Sequence, residues 1–297
     1  MIEKPTILIT STGRTGTEFF AKFFTDVLPD CTSLHEPDIF KFNGLENKLD
    51  YYREQTRRAG IWKMIFLKAL GKWTLVKLSD ARLLGKLSHE QAVKQLYQQR
   101  ADFIKKMPGR VYVESNLGYY GLLDVMPGAF KNHRAIYIVR DGRDWVRSMM
   151  NWGEVYGKKG LRKLVSHRWP TAGDLPDDPL NKEWDQLPRF TRLCWAWATL
   201  NGYALDSVSK NPYARLFHFE KIFTSDERYT TLNDLLAFAT SFPGADIPPI
   251  GSTDGWLEKK IHQSTDGFPG WEKWSAEEKK QFEQICGPLM EKLAYPC

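Results

Sequence analysis

The four cysteines, Cys31, Cys194, Cys286 and Cys297, form no Cys-x-x-Cys pair. This excludes the usual thiolate zinc and thioredoxin-type spacings and reads as reduced thiols, not a disulfide framework. No apolar run reaches the ~18–20 residues that cross a bilayer. There is no internal repeat and no cluster of metal-ligand side chains, so no metal is expected. The lysines and arginines are scattered, without the basic tail or stripe common in nucleic-acid binders, and no nucleic acid partner is expected. An ATP-type P-loop is also missing, because no Gly-Lys-[Ser/Thr] closes the glycine loop near the N-terminus.

What is present is a globular balance. Hydrophobic residues make up 42% and charged residues 26% of 297 residues, enough for one large α/β domain with insertions. A net charge of +6 suits an anionic ligand without choosing which one. The first β-prone run begins within six residues of Met1, with no secretory leader or anchor ahead of it, so a cytoplasmic protein is expected.

The stretch Ile7 to Thr17, running on to Phe24, organises the rest. Residues 7–9 are apolar and β-prone, as a central parallel strand requires. Phe19, Phe20, Phe23, Phe24 and Val27 fall on one helical face. Between strand and helix, Gly13 and Gly16 allow a tight turn, Thr12, Thr15 and Thr17 offer hydroxyls, and Arg14 adds a fixed charge beside the N–H groups of the helix start. Together these make an anion site. The competing reading is an ordinary βα turn.

Three later strand ends carry polar residues. Ser33–His35 is a short strand stopped by Pro37, which puts His35 and Glu36 at the carboxyl edge where ligands of open α/β sheets bind; otherwise Glu36 is a solvated loop carboxylate. Arg110–Asn116 places Glu114, Ser115 and Asn116 at the same edge. Arg134–Arg140 is the clearest strand and breaks at Asp141-Gly142 into a helix bearing Trp145, Met149 and Trp152. Arg140 can grip a phosphate by two parallel hydrogen bonds, with the Ser148 hydroxyl completing the shell. The plainer alternative is an arginine capped by Asp141 and Asp144.

Residues 45–108 read as a helical insertion. A stripe of Trp62, Phe66, Ala69, Trp73 and Val76 lies among lysines. A helix over 61–78 packs on its own domain or covers a cleft more readily than it lies on a membrane, since its far side is also apolar. Ser88 and Gln91 make a capping box. Residues 153–188 read as a lid loop. Phe190–Ser209 is a helix, Ala214–Glu220 the last strand, Leu232–Phe242 a helix, and 255–274 a polar, glycine-rich loop able to fold over a ligand. Ser275 to Glu278 caps a final helix, anchored by Phe282, Ile285, Leu289 and Leu293.

Two anion sites at two strand ends suit a ligand with phosphates at both ends, and here the residues resemble a family. The chain is similar to sulfotransferases that use 3′-phosphoadenosine 5′-phosphosulfate (PAPS), of the bacterial and carbohydrate type. Arg14-Thr15-Gly16-Thr17 matches their [KR]-[ST]-G-[ST] loop for the 5′-phosphosulfate. Arg140 to Ser148 matches the spacing of their 3′-phosphate motif. His35-Glu36-Pro37, Tyr112 to Asn116, Phe217 to Glu220 and Trp271 to Trp274 resemble further segments in the family's order. Gly142 replaces a frequent proline, Lys259, Lys260 and His262 stand where a cleaner Arg-Lys-Gly is usual, and Asn116 stands where some members carry a catalytic histidine.

The resemblance implies a single α/β domain over 1–297, with a parallel sheet of about five strands flanked by helices in the P-loop-like sulfotransferase fold. It implies PAPS as co-substrate, its desulfated product (PAP) as ligand, and a small-molecule or glycan acceptor. It also implies donor contacts from Thr12, Gly13, Arg14, Thr15, Gly16, Thr17, Arg140, Ser148, Lys259, Lys260 and Trp271. Glu36 is the first choice of general base, with His35 and Glu114 as rivals, and Arg14 steadies the leaving phosphate. A bacterial source follows from the lack of a membrane anchor. The tryptophans of 152–184 and 190–209 suggest a pocket for a sugar ring or apolar alcohol. A P-loop-type kinase and a non-catalytic nucleotide- or sulfate-binding module are the competing functions.

Overall fold

The computed structural model describes residues 1–37, 75–152, 155–156, 169–242, 245–247, 251–258 and 267–296. Residues 45–74, with most of the 61–78 stripe, part of the 153–188 segment, and Lys259, Lys260 and His262 lie outside the described residues.

The strand-loop-helix read at the N-terminus is β1 (Thr6–Thr10) followed by α1 (Thr17–Val27). Then come β2 (Cys31–His35), α2 (Leu75–Leu83), α3 (His89–Lys106) and β3 (Val111–Ser115). The second half holds β4 (His133–Val139), α4 (Gly142–Met150), α5 (Arg189–Ser209), β5 (Ala214–His218), α6 (Phe219–Phe223), α7 (Arg228–Thr240) and α8 (Ala276–Lys292). The five strands form one sheet in the order β2-β3-β1-β4-β5, and every pairing in it is parallel.

Alternation along the strands sorts the core into two layers, because successive side chains point to opposite faces. Ile7, Ile9, Ile136 and Ile138 pack with Phe20, Phe23, Phe24 and Val27 of α1 and with Leu232, Leu235 and Leu236 of α7. Leu8, Tyr112, Tyr137 and Val139 pack on the other side with α3, α4, α5 and α8. This is the helix-flanked parallel sheet expected from the sequence, opening with strand, glycine loop and helix.

Strand order positions the site. From β1 the chain crosses towards β2 on one side, and from β4 it crosses to β5 on the other. The switch point therefore falls between β1 and β4, whose carboxyl ends lead into residues 11–16 and 140–141. A crevice at such a reversal is where open α/β sheets bind ligands.

Several boundaries differ from the sequence reading. The last strand stops at His218, and Phe219 begins a short helix. In α8 the buried stripe is Phe282, Cys286 and Met290, while Ile285 and Leu289 are only partly covered. Both capping boxes form, at Ser88–Gln91 and Ser275–Glu278.

Candidate donor site at the sheet switch point

The loop after β1 turns through Gly13, Arg14 and Gly16 at φ of 90°, 59° and 73°. Gly16 is the N-cap of α1 and has no side chain to cap it, and the Phe19 N–H donates to the Gly16 carbonyl at 2.9 Å, so the start of α1 is open to a ligand on its side-chain-free edge. The loop is held from beneath. Thr15 donates to Ser11 Oγ at 2.6 Å and Gly13 N–H to the same oxygen at 3.0 Å. Thr12 donates to Asn201 Oδ1 at 3.4 Å, an oxygen that also takes the Tyr137 phenol at 2.7 Å. The Trp145 indole N–H donates to the Gly13 carbonyl at 3.0 Å. The Thr12 and Thr15 hydroxyls thus serve the loop's own shape.

The second strand end meets the first. Arg14 Nε donates to Ser148 Oγ at 3.0 Å, and Arg140 Nη1 donates to the Arg14 carbonyl at 3.0 Å. The Arg14 guanidinium lies 5.6 Å from the Trp152 ring, and that of Arg140 lies 4.6 Å from the Phe219 ring. Of the two carboxylates in the plainer reading, Asp141 is taken by Arg143 in a two-pronged pair at 3.0 and 2.6 Å, while Asp144 is the carboxylate whose charge bears most on Arg140. Arg140 Nε is buried and has no hydrogen-bond partner among the described residues.

Burial lowers the pKa of Arg14, and the Arg140 charge lowers it further. Burial also lowers that of Arg140, opposed by Asp144, Glu220 and Asp141. Two partly desolvated cations held together in this way favour an anion between them.

Gly142 has a steric reason. A Cβ there would stand 3.0 Å from the rings of Phe282 and Trp197. Trp197 donates its indole N–H to the Arg140 carbonyl at 3.0 Å. Trp271 packs on Phe282 and Trp274, with the Arg143 guanidinium 5.6 Å and the Lys279 ammonium 5.5 Å from its ring. Arg143 thus brings Trp271 to the corner between β4 and α4.

The carboxyl edge on the other side of β1 is built differently. Glu36 is 8% exposed, at φ 43°, and its N–H donates to the Ser115 carbonyl at 2.9 Å. His35 Nε2 lies 3.7 Å from Glu36 Oε2, while Nδ1 lies 3.2 Å from the Ser115 carbonyl. Ser115 Oγ donates to the carbonyl of Thr17, the first residue of α1, at 2.7 Å. These contacts tie the His35–Glu36 pair to the start of α1. Glu36 is thus largely buried, not a solvated loop carboxylate.

Glu114 is fully buried. Oε1 accepts from Arg100 Nη2 and Asn116 Nδ2, each at 2.8 Å, and Oε2 accepts from Tyr112 and Tyr119 at 2.7 and 3.0 Å. A carboxylate surrounded by four donors is organised as a structural acceptor. Asn116 is likewise occupied, with its Oδ1 taking the Gly118 N–H at 2.8 Å.

The tryptophans expected around an acceptor divide sharply. Trp184, Trp195 and Trp197 are core residues, whereas Trp152 is 48% exposed. Ser11, Asn201, Phe219, Glu220 and Tyr295 shape this strand-end region and are not among the site residues expected from the sequence. Phe219 and Glu220 lie in the Phe217–Glu220 segment that the family resemblance marks; the other three carry no such signal.

Among the described residues, no group of His, Cys, Asp and Glu is placed to hold a metal, and no helix is long and apolar enough to cross a membrane. No protein-family profile matches the chain, and no curated protein does. Thirteen solved chains match it in structure. Among them is the sulfotransferase domain from the curacin biosynthetic pathway, at 14% identity and a TM-score of 0.43, over 100% of this chain and 99% of that one.

Proposed function

We propose that this chain is a nucleotide-dependent group transferase whose donor carries phosphates at two ends. More particularly, it is a sulfotransferase that moves the sulfuryl group of PAPS to a hydroxyl of a sugar, lipid or other small alcohol. The observation that carries the reading is the Arg14–Ser148 hydrogen bond, since it joins the two phosphate motifs at one switch-point crevice. The unpartnered Nε of Arg140 and the uncapped start of α1 fit a ligand bearing two phosphates.

PAPS supplies a sulfuryl group already activated on a 5′-phosphate, and the residues of the chain do the rest. Arg14 and the first N–H groups of α1 hold the 5′-phosphate and steady the charge that develops there as the bond to sulfur breaks. Arg140 and Ser148 hold the 3′-phosphate and so fix the direction of the donor. Trp271, beside Arg143, borders the nucleotide. Glu36, at the edge joined through Ser115 to the start of α1, takes the proton of the acceptor hydroxyl, with His35 beside it. Glu114 braces that edge through its four donors.

The test is a thermal-shift titration with PAP, run beside AMP, ADP and ATP with magnesium. A ligand at about 100 times its Kd stabilises by about 2.7 kcal/mol. A shift with PAP that is lost in Arg140→Ala supports the reading. A shift with ATP and magnesium alone would replace it with a kinase.

A further inference from the structure

The three backbone groups around Arg140 are each held by a side chain from a different part of the chain. The Val139 carbonyl accepts from the Tyr295 phenol at 3.3 Å. The Arg140 carbonyl accepts from the Trp197 indole of α5 at 3.0 Å. The Asp141 N–H donates to Glu220 Oε1, on α6, at 2.9 Å. Two of the three holders are joined, because the single Tyr295 phenol proton is shared between the Val139 carbonyl and Glu220 Oε2, the nearer acceptor at 2.9 Å. Tyr295 follows α8, is 8% exposed, and packs its ring 5.0 Å from that of His218 at the end of β5.

We infer that Tyr295, acting through Glu220, is a positioning residue for the anion site at Arg140, so that the segment after α8 forms part of the donor site. An arginine at a strand end normally searches several rotamers, and that freedom is lost on binding. Here the peptide planes on both sides of Arg140 are fixed in advance, and its guanidinium is set against Phe219 and the Arg14 carbonyl. Preorganisation of this kind adds affinity for the group that Arg140 meets and little for the rest of the ligand. The benefit therefore belongs to the 3′-phosphate.

This inference rests on the donor assignment above, and the experiment separates the two. Isothermal titration gives Kd for PAP and for AMP, which lacks the 3′-phosphate, in the wild-type chain and in Tyr295→Phe. The substitution keeps the ring and removes only the hydroxyl. The PAP-over-AMP preference should fall by roughly three- to tenfold, the worth of one ordinary hydrogen bond, while Kd for AMP stays within about twofold, a change below 0.5 kcal/mol. A purely structural role would weaken both nucleotides together or neither.

A wild-type chain with no preference for PAP over AMP overturns the donor reading itself. A wild-type preference that survives intact in Tyr295→Phe overturns the inference and leaves the donor reading standing. Hydrogen exchange on the wild-type chain reads the same point even if the variant does not fold. The Asp141 amide should already be protected without nucleotide and gain little when PAP is added. Fast exchange that slows only with PAP would mean that the strand end is ordered by the ligand and not by Tyr295.

Discussion

Arg14 and Ser148 are joined by a 3.0 Å hydrogen bond although 134 residues separate them in the chain. The arginine belongs to the loop after β1 and the serine to the helix after β4. Adjacent strands at a topological reversal bring the two together, so the ends of β1 and β4 form one surface. The serine oxygen accepts from Arg14, and on the proposed reading its own proton is donated to the 3′-phosphate.

Arg140→Ala should weaken PAP binding by about 10- to 100-fold, the range for hydrogen bonds to a charged group. AMP binding should change far less. Ser148→Ala should show the same selectivity on a smaller scale. Calorimetric Kd values for both nucleotides check this, and equal losses for PAP and AMP would contradict it.

Glu36→Gln should lower kcat for sulfuryl transfer by about 10²–10⁴-fold, the contribution of a positioned base, with PAP affinity retained. The residue sits at positive φ, and Gln tolerates that conformation about as well as Glu, so the backbone is not the variable. Near-normal turnover in a folded variant would remove Glu36 from the mechanism.

Arg100→Ala should destabilise the fold by about 3–5 kcal/mol, because it strands the Glu114 carboxylate in the interior. Both side chains are almost completely buried, at 4% and 0% exposure. Urea unfolding measures the loss, and a cost under about 1 kcal/mol would mean that the pair behaves as a surface contact.

Acid should weaken the fold partly through His133. Burial holds its pKa down to about 4, with the Arg134 charge acting in the same direction against the Asn211 hydrogen bond. The unfolded chain titrates this histidine near pH 6.5, so below that pH it binds a proton that the folded chain refuses. The stability contribution is full above about pH 6.5 and is lost as pH falls towards 4, at up to about 1.4 kcal/mol per pH unit. His133→Gln should flatten the melting temperature between pH 7 and pH 4.5 relative to wild type. Parallel profiles for the two proteins would refute the assignment.

The parts of the fold that were legible in the sequence are those where the pattern changes abruptly. Ile7 to Ile9, then glycines and threonines, then the phenylalanine face of α1 announce a strand, a turn and a helix. Arg134 to Arg140 does the same for β4. The spacing from Arg140 to Ser148 marks a motif but not its partner, because nothing local says that β4 pairs beside β1. In α8, residues 285 and 286, like 289 and 290, are apolar neighbours, so periodicity alone does not choose which stripe turns inward. The contact of Cys286 Sγ with the Cys194 carbonyl at 3.4 Å belongs to the stripe that does. Glu114 looked like a rival base because strand ends carry chemistry. Its occupation depends on Arg100, which arrives from α3 fourteen residues earlier. Tyr295 gives no signal, since an isolated tyrosine beyond the last periodic helix has no spacing to read.

The indole of Trp145 bonds the Gly13 carbonyl across 132 residues, and the consequence concerns how the molecule is made. A ribosome must emit the 132 residues that separate them before the first loop meets the helix that completes it. Parallel pairing over such separations is slow compared with local helix formation. The fluorescence of Trp145 should therefore change late in refolding, in step with the recovery of nucleotide binding and well after helical circular dichroism has returned.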